Sequence, residues 1–155
     1  MHLRPATPDD EAFLVEVYSK NREHEFAFAG WDEAALQQFL EMQYRMRKSA
    51  QAMQYEAPEY WVIESDASRV GALITSRTPD ELKLVDIAIL PDYQGRGLGG
   101  TVISELQRQA MEAGVPIVLH VDLTNPRART LYEKMGFRVT IDLSTMPIYY
   151  PVTVW

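Results

Sequence analysis

The sequence predicts an α/β fold, a mixed sheet in a single three-layer domain with elements in the order βααβββαβαββ. Three observations predict it. Apolar residues recur at helical spacing through the first fifty positions. Between Tyr60 and Leu90 the pattern changes to three apolar runs separated by short polar turns. Beyond Leu90, helix and strand signals alternate, which is the mark of a layered α/β arrangement. The 155 residues are enough for one domain, taken as residues 1–155, with a substantial core.

Taken in order, His2–Ala6 is long enough only for an edge strand. Thr7-Pro8-Asp9-Asp10 then opens a helix: Thr7 is a capping residue, Pro8 suits the first helical position, and the carboxylates favour the positive helix end. Phe13, Leu14, Val17 and Tyr18 follow at helical spacing. A second helix starts after Asp32 and runs to about Met53, with Leu36, Phe39, Leu40, Gln43 and Met46 expected on one stripe. Tyr60–Ile63, Val70–Thr75 and Leu82–Leu90 read as three strands in an antiparallel meander. A helix from about Gly97 to Ala113 turns Val102, Ile103, Leu106 and Ala110 inward and is stopped by Gly114 and Pro116. Pro116–Asp122 is a further strand, parallel to Leu82–Leu90 because a helix joins the two. Asn125-Pro126 opens a short helix with Ala128, Leu131, Tyr132 and Met135 on its inner side, stopped by Gly136. Phe137–Asp142 and Ile148–Val154 are two closing strands, expected as a hairpin.

Composition narrows the function classes. Fifteen Lys and Arg against 22 Asp and Glu give a net charge of −7, the opposite of a phosphate-binding nucleic-acid surface. Cysteine is absent, which excludes disulfides, thiolate metal sites and a Cys acyl-enzyme. None of the three His residues has another at i, i+4 spacing, so no metal site is expected. No apolar run approaches the roughly 20 residues of a membrane span, and early charges interrupt any signal-peptide stretch. The expected setting is cytoplasmic.

The informative stretch is Leu90-Pro91-Asp92-Tyr93-Gln94-Gly95-Arg96-Gly97-Leu98-Gly99-Gly100. Glycines let backbone approach a ligand, and the free N–H groups of a helix start favour an anion. A glycine inside a helix costs about 1 kcal/mol, which a plain connector has no need to bear. The residues therefore read as a phosphate cradle. A Walker A loop fails for want of Gly-Lys-Ser/Thr. Gly95–Gly100 matches G-x-G-x-x-G, and Asp122 follows at a suitable distance, but Pro91–Gln94 intervenes after the strand and no room remains for a second nucleotide-binding half.

Gln94-Gly95-Arg96-Gly97-Leu98-Gly99 resembles the Q/R-x-x-G-x-G/A signature of the GNAT superfamily of acetyl-CoA-dependent N-acetyltransferases. Asp86–Tyr93 looks like the strand that precedes it. Asn125-Pro126-Arg127-Ala128-Arg129-Thr130-Leu131-Tyr132-Glu133-Lys134-Met135-Gly136-Phe137 is similar to the family's second block, N…A..LYE..GF. The element order also fits, so the resemblance spans nearly the whole chain, with the first 60 residues matching in element order alone. It implies that Ile87, Ala88 and Ile89 run beside the pantetheine arm of acetyl-CoA, their backbone satisfied as if by an added strand. It implies too that the amides of Gly95, Arg96, Gly97, Leu98, Gly99 and Gly100, after Gln94, hold the pyrophosphate. Asn125 would bond the cofactor arm, although helix capping accounts for it equally.

The resemblance places Tyr132 as the acid that protonates the departing thiolate, against the alternative of a core aromatic beside Leu131 and Phe137. His120, five residues before Asn125, falls where some relatives carry a base, and its unperturbed pKa suits that work. Asp86 interrupts an apolar strand, and Asp122 alternates with His120 on one face of the neighbouring strand; a satisfied polar residue at a strand end is the competing account of Asp122 and of His120. The implied activity is acetyl transfer from acetyl-CoA to a primary amine of a small molecule, peptide or protein, with no metal. A non-catalytic acyl-CoA sensor is the alternative. Glu23, Glu25, Phe26, Phe28 and Trp31, between the first two helices, lie where the resemblance implies an acceptor site, and their acidic and aromatic groups suit an ammonium; a solvated helix end with a hydrophobic anchor is the alternative account. The apolar tail Ile148–Trp155 either completes the sheet or seeds a homodimer.

Overall fold

The structure, a computed structural model, describes the backbone of residues 1–122, 126–139 and 149–154, with side chains for residues 1–119 and 129–137. Its strands are β1 (His2–Pro5), β2 (Glu59–Ser65), β3 (Ser68–Arg77), β4 (Leu82–Ile89), β5 (Ile117–Asp122), β6 (Arg138–Val139) and β7 (Tyr149–Val154). Its helices are α1 (Glu11–Arg22), α2 (Glu33–Gln54), α3 (Leu98–Ala113) and α4 (Pro126–Lys134). This is the expected order. The strands form one sheet in the order β1-β2-β3-β4-β5-β7-β6. β1 to β4 pair antiparallel, β4 and β5 pair parallel, and β7 lies antiparallel between β5 and β6. The tail therefore completes the sheet of its own chain.

The helix expected from Thr7 begins as a 3₁₀ turn at Pro8–Asp10 and becomes α-helical at Glu11. The reason is the Asp10 carboxylate. It turns back to accept the Thr7 backbone N–H at 2.8 Å and two Arg4 N–H groups at 2.8 and 2.9 Å, tying the helix start to β1.

Apolar residues fill both faces of the sheet, giving three layers. On one face Phe13, Leu14 and Val17 of α1 and Tyr44 of α2 pack on Val62, with Ala72, Ala88 and Leu90 beside them. On the other, Val102, Ile103, Leu106 and Ala110 of α3 pack on Ile63, Leu73, Leu82, Leu84, Ile117 and Leu119, with Ile87, Ile89 and Tyr132 at the margin. Successive residues of β4 thus serve opposite layers, as the strand period of two requires. Two expected core positions are exposed. Met46 is 63% exposed, because the inward stripe of α2 runs through Leu40, Tyr44 and Gln51. Leu131 is 42% exposed, and Tyr132 and Met135 carry the packing of α4 instead.

Candidate active site

The site begins where the sheet opens. β4 and β5 are paired only at Leu82–Leu84 against Ile117–Leu119, although β4 continues to Ile89 and β5 to Asp122. At the same point the β3–β4 register slips by one residue, leaving Val85 as an extra residue on β4. A bulge bends and twists its strand, so the remainder of β4 stays with β3 and parts from β5. The Leu90 N–H donates to the Val70 carbonyl at 2.8 Å. By strand alternation, the N–H and C=O of Ile89 and of Ile87 therefore face the opened edge.

That edge is partly occupied from within. The Ile89 carbonyl accepts from Nδ2 of Asn21 at 3.1 Å and from Nε2 of Gln94 at 2.9 Å. Among the described residues the Ile89 N–H and both backbone groups of Ile87 have no such partner, which leaves this edge one acceptor fewer than the sequence suggests. Gly71, opposite Ile89, has to be glycine: a Cβ there would lie 2.5 Å from the Ala88 carbonyl oxygen.

From Leu90 a 3₁₀ turn over Pro91–Tyr93 leads into the glycine loop. Gly95 and Gly97 have φ of 77° and 78°, the left-handed region that side chains disfavour. The first intrahelical bond of α3 runs from the Thr101 N–H to the Gly97 carbonyl at 3.1 Å. The amides of Leu98, Gly99 and Gly100 precede it, and no side chain caps them. Gly99 and Gly100 have ordinary φ, and a Cβ on either would meet nothing within 4 Å. Neither packing nor backbone angle requires glycine at these two positions, whereas a ligand lying against the amides would. The positive end of a 16-residue helix with no acidic residue in its first turn suits an anion. The Arg96 guanidinium lies 5.2 Å from the Tyr93 ring centroid and donates to the Asp92 carbonyl at 3.1 Å, at the rim of the cradle.

Tyr132 stands on the α3 side of the opening. Its ring is 5.8 Å from that of buried Phe137, whose N–H donates to the Tyr132 carbonyl at 3.1 Å. Burial, and then the charge of Asp86, push its phenol above the usual tyrosine value. The sheet opening thus brings Tyr132 on one face into the field of Asp86 on the other. His120 directly follows the last β5 residue paired with β4; its side chain, like that of Asp122, lies outside the described set. Asn125 lies wholly outside the described residues.

On the opposite face, α1, α2, β3 and β4 enclose a cavity of about 330 Å³. Among its wall residues are Tyr18, Arg22, Tyr44, Arg47, Lys48 and Asp86. Arg47 pairs with Asp86 at 3.3 Å. Tyr44 meets Tyr18 edge-on at 5.7 Å; its buried hydroxyl has no hydrogen-bond partner among the described residues, and burial raises its pKa. The residues that the resemblance put at the acceptor are not on this wall. Phe26 and Trp31 cluster with Phe39, Phe28 is fully exposed, and Glu23 and Glu25 do not line this cavity. The sequence signal for this wall is a polar stripe continuing the apolar one: Tyr44, Arg47 and Gln51 follow Leu40 at helical spacing, as Arg22 follows Tyr18. Among the described residues, no group of three or more His, Asp or Glu could hold a metal, and no helix is long and apolar enough to cross a membrane.

Residues 15–137 match the profile of the Acetyltransferase (GNAT) family. Over 83 residues the chain is 41% identical to the ribosomal protein bS18-alanine N-acetyltransferase of Haemophilus influenzae, covering 53% of this chain and 54% of that one. It is 34% identical over 86 residues to mycothiol acetyltransferase of Streptomyces griseus, covering 54% of this chain and 28% of that one. The chain spans about half the length of the first of these relatives and less of the second. In solved structures the fold is similar to PaiA N-acetyltransferase from Thermoplasma acidophilum in complex with coenzyme A, with TM-score 0.71, 17% identity and coverage of 98% and 96%. It is also similar to an acetyltransferase from Thermus thermophilus, with TM-score 0.69, 22% identity and coverage of 99% and 95%.

Proposed function

The chain belongs to the Acetyltransferase (GNAT) family, and from that premise we propose that it transfers the acetyl group of acetyl-CoA directly to a primary amine. The observation that carries this reading is the pairing of an opened β4 edge with an uncapped, glycine-lined helix start only a few residues later in the chain. An elongated ligand with amide groups at one end and phosphates at the other fits that sequence of donors.

In this reading the backbone of Ile87, Ala88 and Ile89 orients the amide-bearing arm. The amides of Gly95, Arg96, Gly97, Leu98, Gly99 and Gly100 hold the phosphates, with Gln94 bracing the loop and Asn125 adding a contact to the arm. Acetyl-CoA supplies an activated acyl group as a thioester. The amine nitrogen attacks its carbonyl carbon; a C–N bond forms and the C–S bond breaks. The Ile89 N–H is placed to take the charge developing on the carbonyl oxygen. His120 takes the proton that the amine gives up, and Tyr132 donates one to the departing thiolate. A phenol held in its protonated form by burial and by the Asp86 charge is loaded for that donation. The products are an amide and a free thiol. The reading takes residues 1–155 as one domain in a cytoplasmic setting.

The test joins binding to turnover. Acetyl-CoA at 100 times its Kd should stabilise the fold by about 2.7 kcal/mol, read by thermal unfolding, with release of free thiol when a panel of amines is added. A larger shift with NAD than with acetyl-CoA would overturn the reading.

A further inference from the structure

The cavity between α1, α2 and β4 reverses the charge of the chain. Acidic residues outnumber basic ones by 22 to 15 overall, yet the cavity wall carries three cations, Arg22, Arg47 and Lys48, against one carboxylate, Asp86. The three cations are not equivalent. Nζ of Lys48 pairs at 3.1 Å with Glu11, which is not part of the wall. Arg47 is matched to Asp86 within it. Among the described residues Arg22 has no carboxylate partner; its guanidinium lies 4.3 Å from the Tyr18 ring centroid, and that of Arg47 lies 5.6 Å from the same ring. Stacking engages the face of a guanidinium and leaves its N–H edge, whose geometry fits the two oxygens of a carboxylate. Arg22 is also the last residue of α1, where with exposed Lys20 it complements the negative helix end, and that role leaves its N–H edge available to the cavity.

We infer that the acceptor is a small amine that also carries a carboxylate, of amino-acid size, with the carboxylate on the edge of Arg22 and the amine toward the opened edge of β4. The inference rests on the acetyl-transfer reading above. A cavity of about 330 Å³ is at the small end of ligand sites, which run from about 300 to 1,000 Å³. A polycationic amine meets a wall whose one carboxylate is already neutralised by Arg47. The surplus positive charge also disfavours the ammonium form of a bound amine and so favours the free base that attacks.

The experiment uses the full chain with acetyl-CoA and matched acceptors: free L-amino acids, their α-amides, spermidine and a short peptide with a free N-terminus. Acetylated product is read by mass spectrometry. The best free amino acid should exceed its own amide in kcat/KM by roughly tenfold or more, the worth of one charge-assisted contact. Arg22→Gln should abolish that ratio through KM of the amino acid, and Lys20→Gln should preserve it. A preference for the amide, spermidine or the peptide would overturn the inference, as would a ratio that survives Arg22→Gln. If no acceptor is acetylated although acetyl-CoA raises the melting temperature, the inference fails and only acetyl-CoA binding stands. If acetyl-CoA gives no shift either, the acetyl-transfer reading fails with the inference.

Discussion

Nε2 of Gln94 donates to Oδ1 of Asn21 at 2.9 Å, joining the glycine loop to the helix that walls the cavity, and both side chains then donate to the Ile89 carbonyl. One three-membered contact therefore sets the end of β4, the start of the glycine loop and the C-terminal part of α1 relative to one another. Gln94→Ala removes two neutral hydrogen bonds, each worth about 0.5–1.5 kcal/mol. Its KM for acetyl-CoA should rise roughly three- to tenfold with kcat nearly unchanged. A loss confined to kcat would place Gln94 in the chemistry instead.

Gly99 and Gly100 separate folding from binding. Each has room for a methyl group and no unusual φ, so Gly99→Ala and Gly100→Ala should each stabilise the free protein by about 0.4–1 kcal/mol. The same methyl groups stand where a ligand would lie against the amides, so the acetyl-CoA-induced melting shift should shrink. Melting curves with and without acetyl-CoA check both halves, and an undiminished shift would remove these positions from the cradle.

Tyr132→Phe keeps the ring that packs on Phe137 and deletes the hydroxyl. If that hydroxyl protonates the leaving thiolate, kcat should fall on the order of 10²-fold with little change in acetyl-CoA affinity. Because burial and Asp86 raise its pKa, the wild-type rate should hold on the alkaline side past the ordinary tyrosine value. Steady-state kinetics across pH, with a melting curve of the variant, test this.

His120→Ala should remove the acid limb of the pH–rate profile, expected near the unperturbed histidine value of about 6.5. An identical limb in the variant would pass the base role to another group, of which Asp86, already paired with Arg47, is the one carboxylate among the described residues of the cavity wall.

Asp10 concerns stability alone. It is 4% exposed, and Arg4 together with the Thr7 N–H holds its carboxyl below the usual carboxylate range. A carboxyl with a depressed folded pKa contributes stability above its unfolded value of about 3.9, and that contribution is lost as pH falls through the folded value. Asp10→Asn should lower Tm by several degrees at neutral pH and lose less than wild type on acidification below about pH 4. Thermal scans across that window measure the difference.

Much of this architecture is legible along the chain because its causes are local. Capping residues at Asp32, the glycine stop at Gly114 and the apolar runs of β2 to β5 each act on near neighbours, so the element order and the parallel β4–β5 pair follow from the sequence. The glycine loop is legible for the same reason. Its residues are contiguous, and their chemistry does not depend on what folds against them. The opening of the sheet is different. How far β4 stays paired with β5 depends on a bulge at Val85, which is set by the packing of both strands and has no sequence signature.

The cavity wall is further still from local control. Tyr18, Arg22, Tyr44, Arg47 and Asp86 come from three separate elements. Which side of α2 faces inward is decided by its rotation against α1 and the sheet, and that rotation exposes Met46 and turns Arg47 toward Asp86. By itself, then, the sequence determined the layers, their order and the glycine loop, through interactions between residues close in the chain. The cavity wall, the stacking of Arg22 on Tyr18 and the field of Asp86 at Tyr132 were decided by tertiary structure, because each is a relation between side chains that only packing brings within reach.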